Sequence, residues 1–433
     1  MRELDYLVGV GGVGMSALAQ TLFDSGRWIA GCDRACERGE TPAAVKILKS
    51  QGMALFKENS AMPDGSVSRV VVSSAIEADH PALVNAKRYS IPVIHRAVAL
   101  AEALEGRKLL AVAGTCGKST VTAMLGHLLS VCGLDPQVVN GASVPGWDVG
   151  GTRVGSVLRG RGEYAVAEVD ESDKSLTAFS PYAAIITNSS ADHFMQEETD
   201  SIFDDFRSKV KCFTIDARDC SSPQFPETKG FSGSFVFEGV RFEVPMPGLH
   251  NVFNAWNAVR MAFKLGLEPE KLMTAMKSFP GVERRMQFVG FCNGARVIDD
   301  YAHNTEKLRA LVCTLKEAFP EGFSLLWRPH GYAPLRKMKD SLAGMFAGEL
   351  RKCDKLFLLP VYDAGGTADR SVNTKDLAGV LRGAMAASLV EVEDIAAAHD
   401  ALLESSRSVQ AIAVAGARDP QLSVLASSLC KKQ

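Results

Sequence analysis

The chain opens on a short apolar run, a glycine turn and an amphipathic stretch, "LDYLVGVGGVGMSALAQTLFDSG" from residue 4. Apolar residues are continuous at first and then recur at helical spacing, which predicts a strand, a turn and a helix. "WIAGCD" reads as a second strand ending at Asp33, "RVVVSSAI" (69–76) as a buried strand, and "IPVIHRAVALAEAL" (91–104) as a strand entering a helix. The same rhythm restarts at "KLLAVAGTCGKSTVTAMLGHLL", with strands at "EYAVAEVD" (163–170) and "YAAIITN" (182–188) and a helix over 251–266. A third round opens at "ARVIDDYAHNTEKLRALVCTLKEAF" (295–319) and adds strands at "SLLWRPHG", "KLFLLPVY" and "AIAVAGARD". Apolar strands alternating with helices predict parallel sheets covered on both faces. The reading is therefore α/β, in three segments: 1–106, 107–293 and 294–433.

Composition narrows the class without changing the fold. Of 433 residues, 46% are hydrophobic and 23% charged, an ordinary globular mixture. A net charge of -2 and the lack of any basic run argue against nucleic-acid or membrane-surface binding. The charged start is unlike a secretory leader, and no apolar stretch is long enough to span a bilayer. Ten cysteines are scattered; Cys32 and Cys36 come nearest to metal spacing, but no second pair answers them. A cytoplasmic enzyme with reduced thiols is expected.

Two glycine loops carry the chemistry. In "GVGGVG", Gly9, Gly11 and Gly14 have the G-x-G-x-x-G spacing between a strand and a helix, which lets a diphosphate approach the backbone at a helix N-terminus. Asp33, ending the next strand, is placed to meet a ribose hydroxyl or a base. Alone, this turn suits a nucleotide-dependent oxidoreductase equally well, or a merely tight turn. The second loop, "AVAGTCGKST" (111–120), has Val112 where a strict phosphate loop has glycine, yet it keeps Gly114, Gly117, Lys118 and Ser119. Backbone amides there can cradle an anion, Lys118 can reach terminal phosphates, and Ser119 offers a hydroxyl to magnesium. One loop for a diphosphate and another for ATP favours a ligase over a dehydrogenase. Glu168, Asp170, Glu171 and Asp173 crowd the end of one strand, and Asn188, Asp192 and His193 follow the end of another. Such a concentration of negative charge calls for cations.

Taken together, these motifs resemble the Mur ligase family, the ATP-dependent amide-forming enzymes of peptidoglycan synthesis. The likeness runs through "GVGGVGMSALA", "VVVSSAI", "IPVIHRA", "GTCGKST", "AEVDESDKS", "ADH", "GLHNVFNAWNA", "GVERRMQ" and "DDYAHN", nearly the whole chain. Members use a GT-x-GK-[ST] loop, so Val112 marks a family variant. The resemblance implies a Rossmann-like first domain, a central ATPase domain and a C-terminal α/β domain. It implies that the lactyl carboxylate of UDP-N-acetylmuramate is phosphorylated by ATP and then attacked by an amine, L-alanine by preference or a recycled peptide.

The resemblance also distributes roles. Gly11, Gly12, Val13, Gly14, Asp33, Ser73, Ser74 and Ala75 would bind the UDP-sugar. Gly114, Thr115, Cys116, Gly117, Lys118, Ser119 and Thr120 would hold ATP phosphates, helped by His250, Asn251 and Asn254. Arg284 or Arg285 would face phosphate, Asp299 or Asp300 the ATP ribose, and His303 the reacting centre. Ser119, Glu168 and His193 would bind Mg2+. Three departures stand out: Cys116 inside the loop, where its thiol is a candidate for reactivity, Asn304 in place of a second histidine, and "RPHGYAPLRK" (328–337). Alanine-adding members carry arginines just after that histidine, where this chain has Gly331 and Pro334; Arg336 or Lys337 is then expected to grip the amine's carboxylate. Lys209 and Lys211 lie where some members carry a carbamylated lysine. A monomer or homodimer is expected.

Overall fold

The computed structural model describes residues 3–36, 41–58, 63–171, 175–189, 196–219, 222–363 and 369–430. They form two compact units, the first built from residues 1–225, 235–244 and 250–282 and the second from 226–234, 245–249 and 283–433.

The first unit contains two parallel-rich sheets. One runs in the order Ala54–Lys57, Trp28–Asp33, Leu4–Val8, Arg69–Val72, Val93–His95, with every pair parallel. Its central strand is buried from Asp5 to Val8 because helices cover both faces. The strand expected over 69–76 stops at Val72. Ser73–Ile76 instead form a turn, closed by the Ile76 amide donating to the Ser73 carbonyl, so the two serines leave the sheet where no neighbouring strand continues. The stretch over 91–104 divides into Val93–His95 and the helix Arg96–Ala103, capped by His95 Nδ1 accepting from the Ala97 amide.

The other sheet runs Phe213–Asp216, Ala183–Ile186, Lys108–Ala113, Tyr164–Glu168, Gln137–Val139, Val157–Leu158. Its middle strands, "KLLAVA", "YAVAE" and "AAII", are apolar almost throughout, as strands buried on both faces must be. Register sets Val112 beside both Glu168 and Ile185, so the ends of three strands open at one edge. After the four-residue loop 114–117 the helix Lys118–Val131 begins, burying Val121, Met124, Leu125 and Leu128. A separate three-stranded sheet is made by Gln224–Lys229, Ser232–Phe237 and Val240–Val244.

The second unit holds a six-stranded sheet in the order Gln287–Cys292, Ala295–Asp300, Ala411–Ala415, Phe323–Trp327, Lys355–Leu358, Ser388–Glu391. Only the first pair is antiparallel. Fully buried Trp327, Phe323 and Phe346 anchor its core. Among the described residues no helix is long and apolar enough to cross a membrane.

One buried charge is structural. Asp5 is 0% exposed and holds Arg27 at 2.5 Å and Arg69 at 2.9 Å. Arg69 lies directly opposite it on the neighbouring strand, which ties the two strand starts together. Removing Asp5 takes away the buried partner of both arginines and leaves Arg27 only the exposed Glu3 and Arg69 only the exposed Glu102, a loss of up to about 3–5 kcal/mol. Asp5→Ala should lower unfolding free energy in urea by that order; a loss below about 1 kcal/mol would mean the arginines are solvated and the triad contributes little.

Candidate active site

In the first unit the loop after Lys108–Ala113 is held from the side. Asn188 Nδ2 donates to the Cys116 carbonyl at 3.0 Å, and the Cys116 amide donates to Asn188 Oδ1 at 2.9 Å. Thr187 Oγ1 donates to the same carbonyl at 2.6 Å, and Thr115 Oγ1 donates to Asn188 Oδ1 at 2.6 Å. The amide side chain of Asn188, expected among metal-side oxygens, thus spans one loop peptide. Gly114 sits at φ +131°, and a Cβ there would stand 2.1 Å from Thr187 Oγ1, so no larger residue fits. Gly117, at φ +83°, caps the helix with Asn254 pressed against it. Asn254 Nδ2 donates in turn to Asn251 Oδ1 at 3.2 Å, and His250 lies in the same first helical turn.

Lys118 lies at the helix start among carboxylates. Its Nζ donates to the Gly114 carbonyl and to Glu171 Oε2, both at 2.7 Å, and stands 3.9 Å from Asp170. Burial alone would lower the ammonium's pKa, but Glu171, Asp170 and Glu168 together hold it above its ordinary value. Burial pushes the Glu171 carboxyl up, against the pull of Lys118. Ser119 and Thr120 are buried in the first helical turn.

Glu168 Oε2 accepts from the Gly141 amide at 2.7 Å. With Asp170, Asn140, Arg96 and Gly14 it lines a cleft that reaches the first glycine turn. There the Gly11 amide donates to Asp33 Oδ2 at 2.7 Å, and the Ala35 amide to Asp33 Oδ1 at 2.9 Å. The aspartate therefore braces the turn from below. Gly12 caps the helix Val13–Asp24, on which Val13 is exposed. Ser73, Ser74 and Ala75 follow the neighbouring strand at the same edge. His193, Asp192 and Asp173 lie outside the described residues. Among the described residues no cluster of three metal-binding side chains forms. Glu168 with the Ser119 hydroxyl is nevertheless a hard-oxygen pair of the kind magnesium accepts, since that ion keeps several waters and substrate oxygens.

In the second unit, Arg284 Nη2 donates to the Gly416 carbonyl at 2.6 Å, and its Nε lies 3.4 Å from Asp299. Arg284 and Arg285 both stack over the Tyr301 ring, at 5.0 and 5.3 Å. Asp299 also accepts from Ser423, and Asp300 accepts from the amides of Met286 and Ala302. Burial pushes both carboxyls up. His303 and His330 meet edge to face with centroids 5.0 Å apart. His303 Nδ1 lies 2.8 Å from the Tyr301 carbonyl, which can only accept; the ring proton is therefore on Nδ1 and the Nε2 lone pair is left open. In the sequence His330 served only to place the arginines expected after it and was given no role of its own. Arg336 is held elsewhere, 2.7 Å from the Asp369 carboxylate and 3.2 Å from Ser371 Oγ. Lys209 Nζ donates to the Thr177 carbonyl at 3.0 Å.

A lysine at a helix start beside a glycine loop, set among carboxylates, suits transfer of a phosphoryl group between oxygen anions. Comparison with known proteins makes the class definite. The Mur ligase family catalytic domain matches residues 6–108, and the Mur ligase glutamate ligase domain matches 284–418. The UDP-N-acetylmuramate--L-alanine ligase of Sinorhizobium medicae is 30% identical over 88% of this chain and 87% of its own. That of Geobacter sp. strain M21 is 33% identical over 88% and 87%. The crystal structure of a UDP-N-acetylmuramate-alanine ligase from Thermotoga maritima superposes with a TM-score of 0.79 at 23% identity, covering 99% of this chain and 98% of that one. A murein peptide ligase from Psychrobacter arcticus gives 0.65 at 19%, covering 99% and 100%. The protein is a ligase with the three-domain Mur ligase fold, and not an oxidoreductase. The chain belongs to the Mur ligase family.

The two imidazoles make acid stability predictable. His303 is pushed down to about 4 by burial, then by Lys307, His330 and Arg285; His330 is pushed down to about 4 by burial, then by Arg418 and Lys307. Unfolded histidine titrates near 6.5, so the unfolded chain takes up protons first as pH falls. Their contribution to stability is full above that value and is lost between it and about pH 4. His330→Gln should lessen the drop in urea midpoint between pH 7 and pH 5; an equally steep drop would mean that His330 is protonated in the folded protein.

Proposed function

We propose that this chain joins L-alanine to the lactyl carboxylate of UDP-N-acetylmuramate in the cytoplasm, as a monomer or homodimer, with cleavage of ATP. The supporting observation is the Lys118 loop, braced by Asn188, with its lysine 3.9 Å from Asp170, which lines the same cleft as Glu168. Backbone amides of the Gly114–Gly117 loop, apart from that of Cys116 which Asn188 occupies, would hold ATP phosphates, with Lys118 leaving Glu171 to meet the terminal one. His250, Asn251 and Asn254 would border the nucleotide, and Arg284 or Arg285 would add positive charge. The ribose would rest against Asp299 or Asp300. The UDP diphosphate would lie on the Gly11–Gly14 turn, with Ser73, Ser74 and Ala75 alongside.

Mg2+ would be held by Ser119 and Glu168, with His193 as a further ligand, and when bound it would neutralise charge on the transferred phosphoryl group. The lactyl carboxylate attacks the terminal phosphorus and ADP leaves. The amine then attacks the acyl carbon, and the tetrahedral adduct expels inorganic phosphate. The adduct's ammonium is strongly acidic, so a weak base suffices to take its proton. The open Nε2 of His303 is such a base. A peptide in place of L-alanine is the second reading, favoured by Gly331 and Pro334 standing where arginines are expected.

Lys118→Ala should cut amide formation by a hundredfold or more, on the order of a few kcal/mol of barrier, and leave UDP-sugar binding near normal. Phosphate release with UDP-N-acetylmuramate, ATP and L-alanine measures the first, and calorimetry the second. Turnover within a few-fold of the parent would remove this loop as the ATP site.

A further inference from the structure

We propose that Arg418 is the group that holds the carboxylate of the incoming amine; the inference rests on the ligase reading above. Three adjacent parallel strands end at one level, with Asp300 and Trp327 each paired to Ala415 between them. The loops that follow carry His303, Arg418 and His330, and the Arg418 loop leaves from the middle strand. That loop is fixed on both sides of the arginine. The Gly416 amide donates to the Asp300 carbonyl at 3.2 Å, and its carbonyl receives Arg284. Asp419, 1% exposed, accepts from Arg328 Nη1 at 2.5 Å and from the Gln421 amide at 2.9 Å.

Between these ties Arg418 is held at φ +66°, where a residue with a Cβ is strained and glycine is the relaxed choice. Its side chain is exposed and makes no hydrogen bond or ion pair among the described residues. The other basic groups nearby are differently placed. Arg284 is bound to Asp299 and Gly416, Arg328 to Asp419, and Arg336 to Asp369 and Ser371. Carboxylates of this edge are committed as well, Asp299 to Arg284 and Ser423 and Asp300 to two backbone amides. What remains is unbalanced positive charge beside two neutral imidazoles. An α-amino acid answers both features, its carboxylate to the guanidinium and its amine proton to the imidazole. A strained, solvated arginine is costly to keep for packing alone.

The test compares L-alanine (or the peptide, should that be the amine used) with its carboxamide, which lacks the negative charge. Arg418→Gly should raise the KM for the carboxylate form ten- to a hundredfold, with KM for ATP and the UDP-sugar within twofold. The parent's preference for the carboxylate over the carboxamide should largely vanish in the variant. Arg418→Lys should keep part of it. Glycine relaxes the backbone, so the melting temperature of Arg418→Gly should not fall; if it does, Arg418→Lys, expected to raise the same KM several-fold, decides. An unchanged amine KM and an unchanged preference in both variants would overturn the inference. So would a rise confined to the KM of ATP, which would make Arg418 a phosphate ligand. A parent enzyme that forms no amide with any amine overturns the ligase reading itself, and this inference with it.

Discussion

Cys116 is gripped at its amide and at its carbonyl by one side-chain amide, that of Asn188, and the shape of the glycine loop depends on that grip. Without it the loop between Ala113 and Lys118 would be free to refold, because its glycines adopt many conformations equally well. With it, Gly114 is pressed onto Thr187, Gly117 onto Asn254, and Lys118 starts its helix pointing back at the Gly114 carbonyl. The cost of ordering the loop is met when the protein folds, before any ligand arrives.

The two units differ in electrostatic character. Around Lys118 the field is negative, with Glu168, Asp170 and Glu171 all raising the lysine's affinity for its proton. Such a centre favours cations and, through them, phosphate. Around His303 and His330 the field is positive, and both rings stay neutral at physiological pH. A neutral imidazole can accept a proton where an imidazolium could not.

Much of this was legible in the sequence. The α/β alternation, both glycine loops and the motifs of the family lie in contiguous residues, where apolar runs and turn chemistry speak locally. What escaped was settled by partners distant along the chain. Glu171 reads as one more acid in "DESD", and only folding shows it 2.7 Å from Lys118. Asn188 was read as a metal-side oxygen because it follows a strand, but its neighbour across the sheet edge is a peptide 72 residues away. Arg336 looked available until Asp369 was brought to it. Arg418 gave no signal at all, since a left-handed φ is readable only where glycine or asparagine marks it. The three-stranded sheet over 224–244 also went unread, its short alternating runs being broken by glycines.

The proposed route takes the terminal phosphoryl group of ATP, held at the Lys118 loop, to a carboxylate oxygen of the sugar nucleotide. The most direct measurement uses UDP-N-acetylmuramate labelled with oxygen-18 in its lactyl carboxyl group, with turnover in unlabelled water and mass analysis of the products. An acyl phosphate requires that each inorganic phosphate released carry one labelled oxygen, and that the amide keep the other. Phosphate free of label, with ATP consumed and amide formed, would contradict the account.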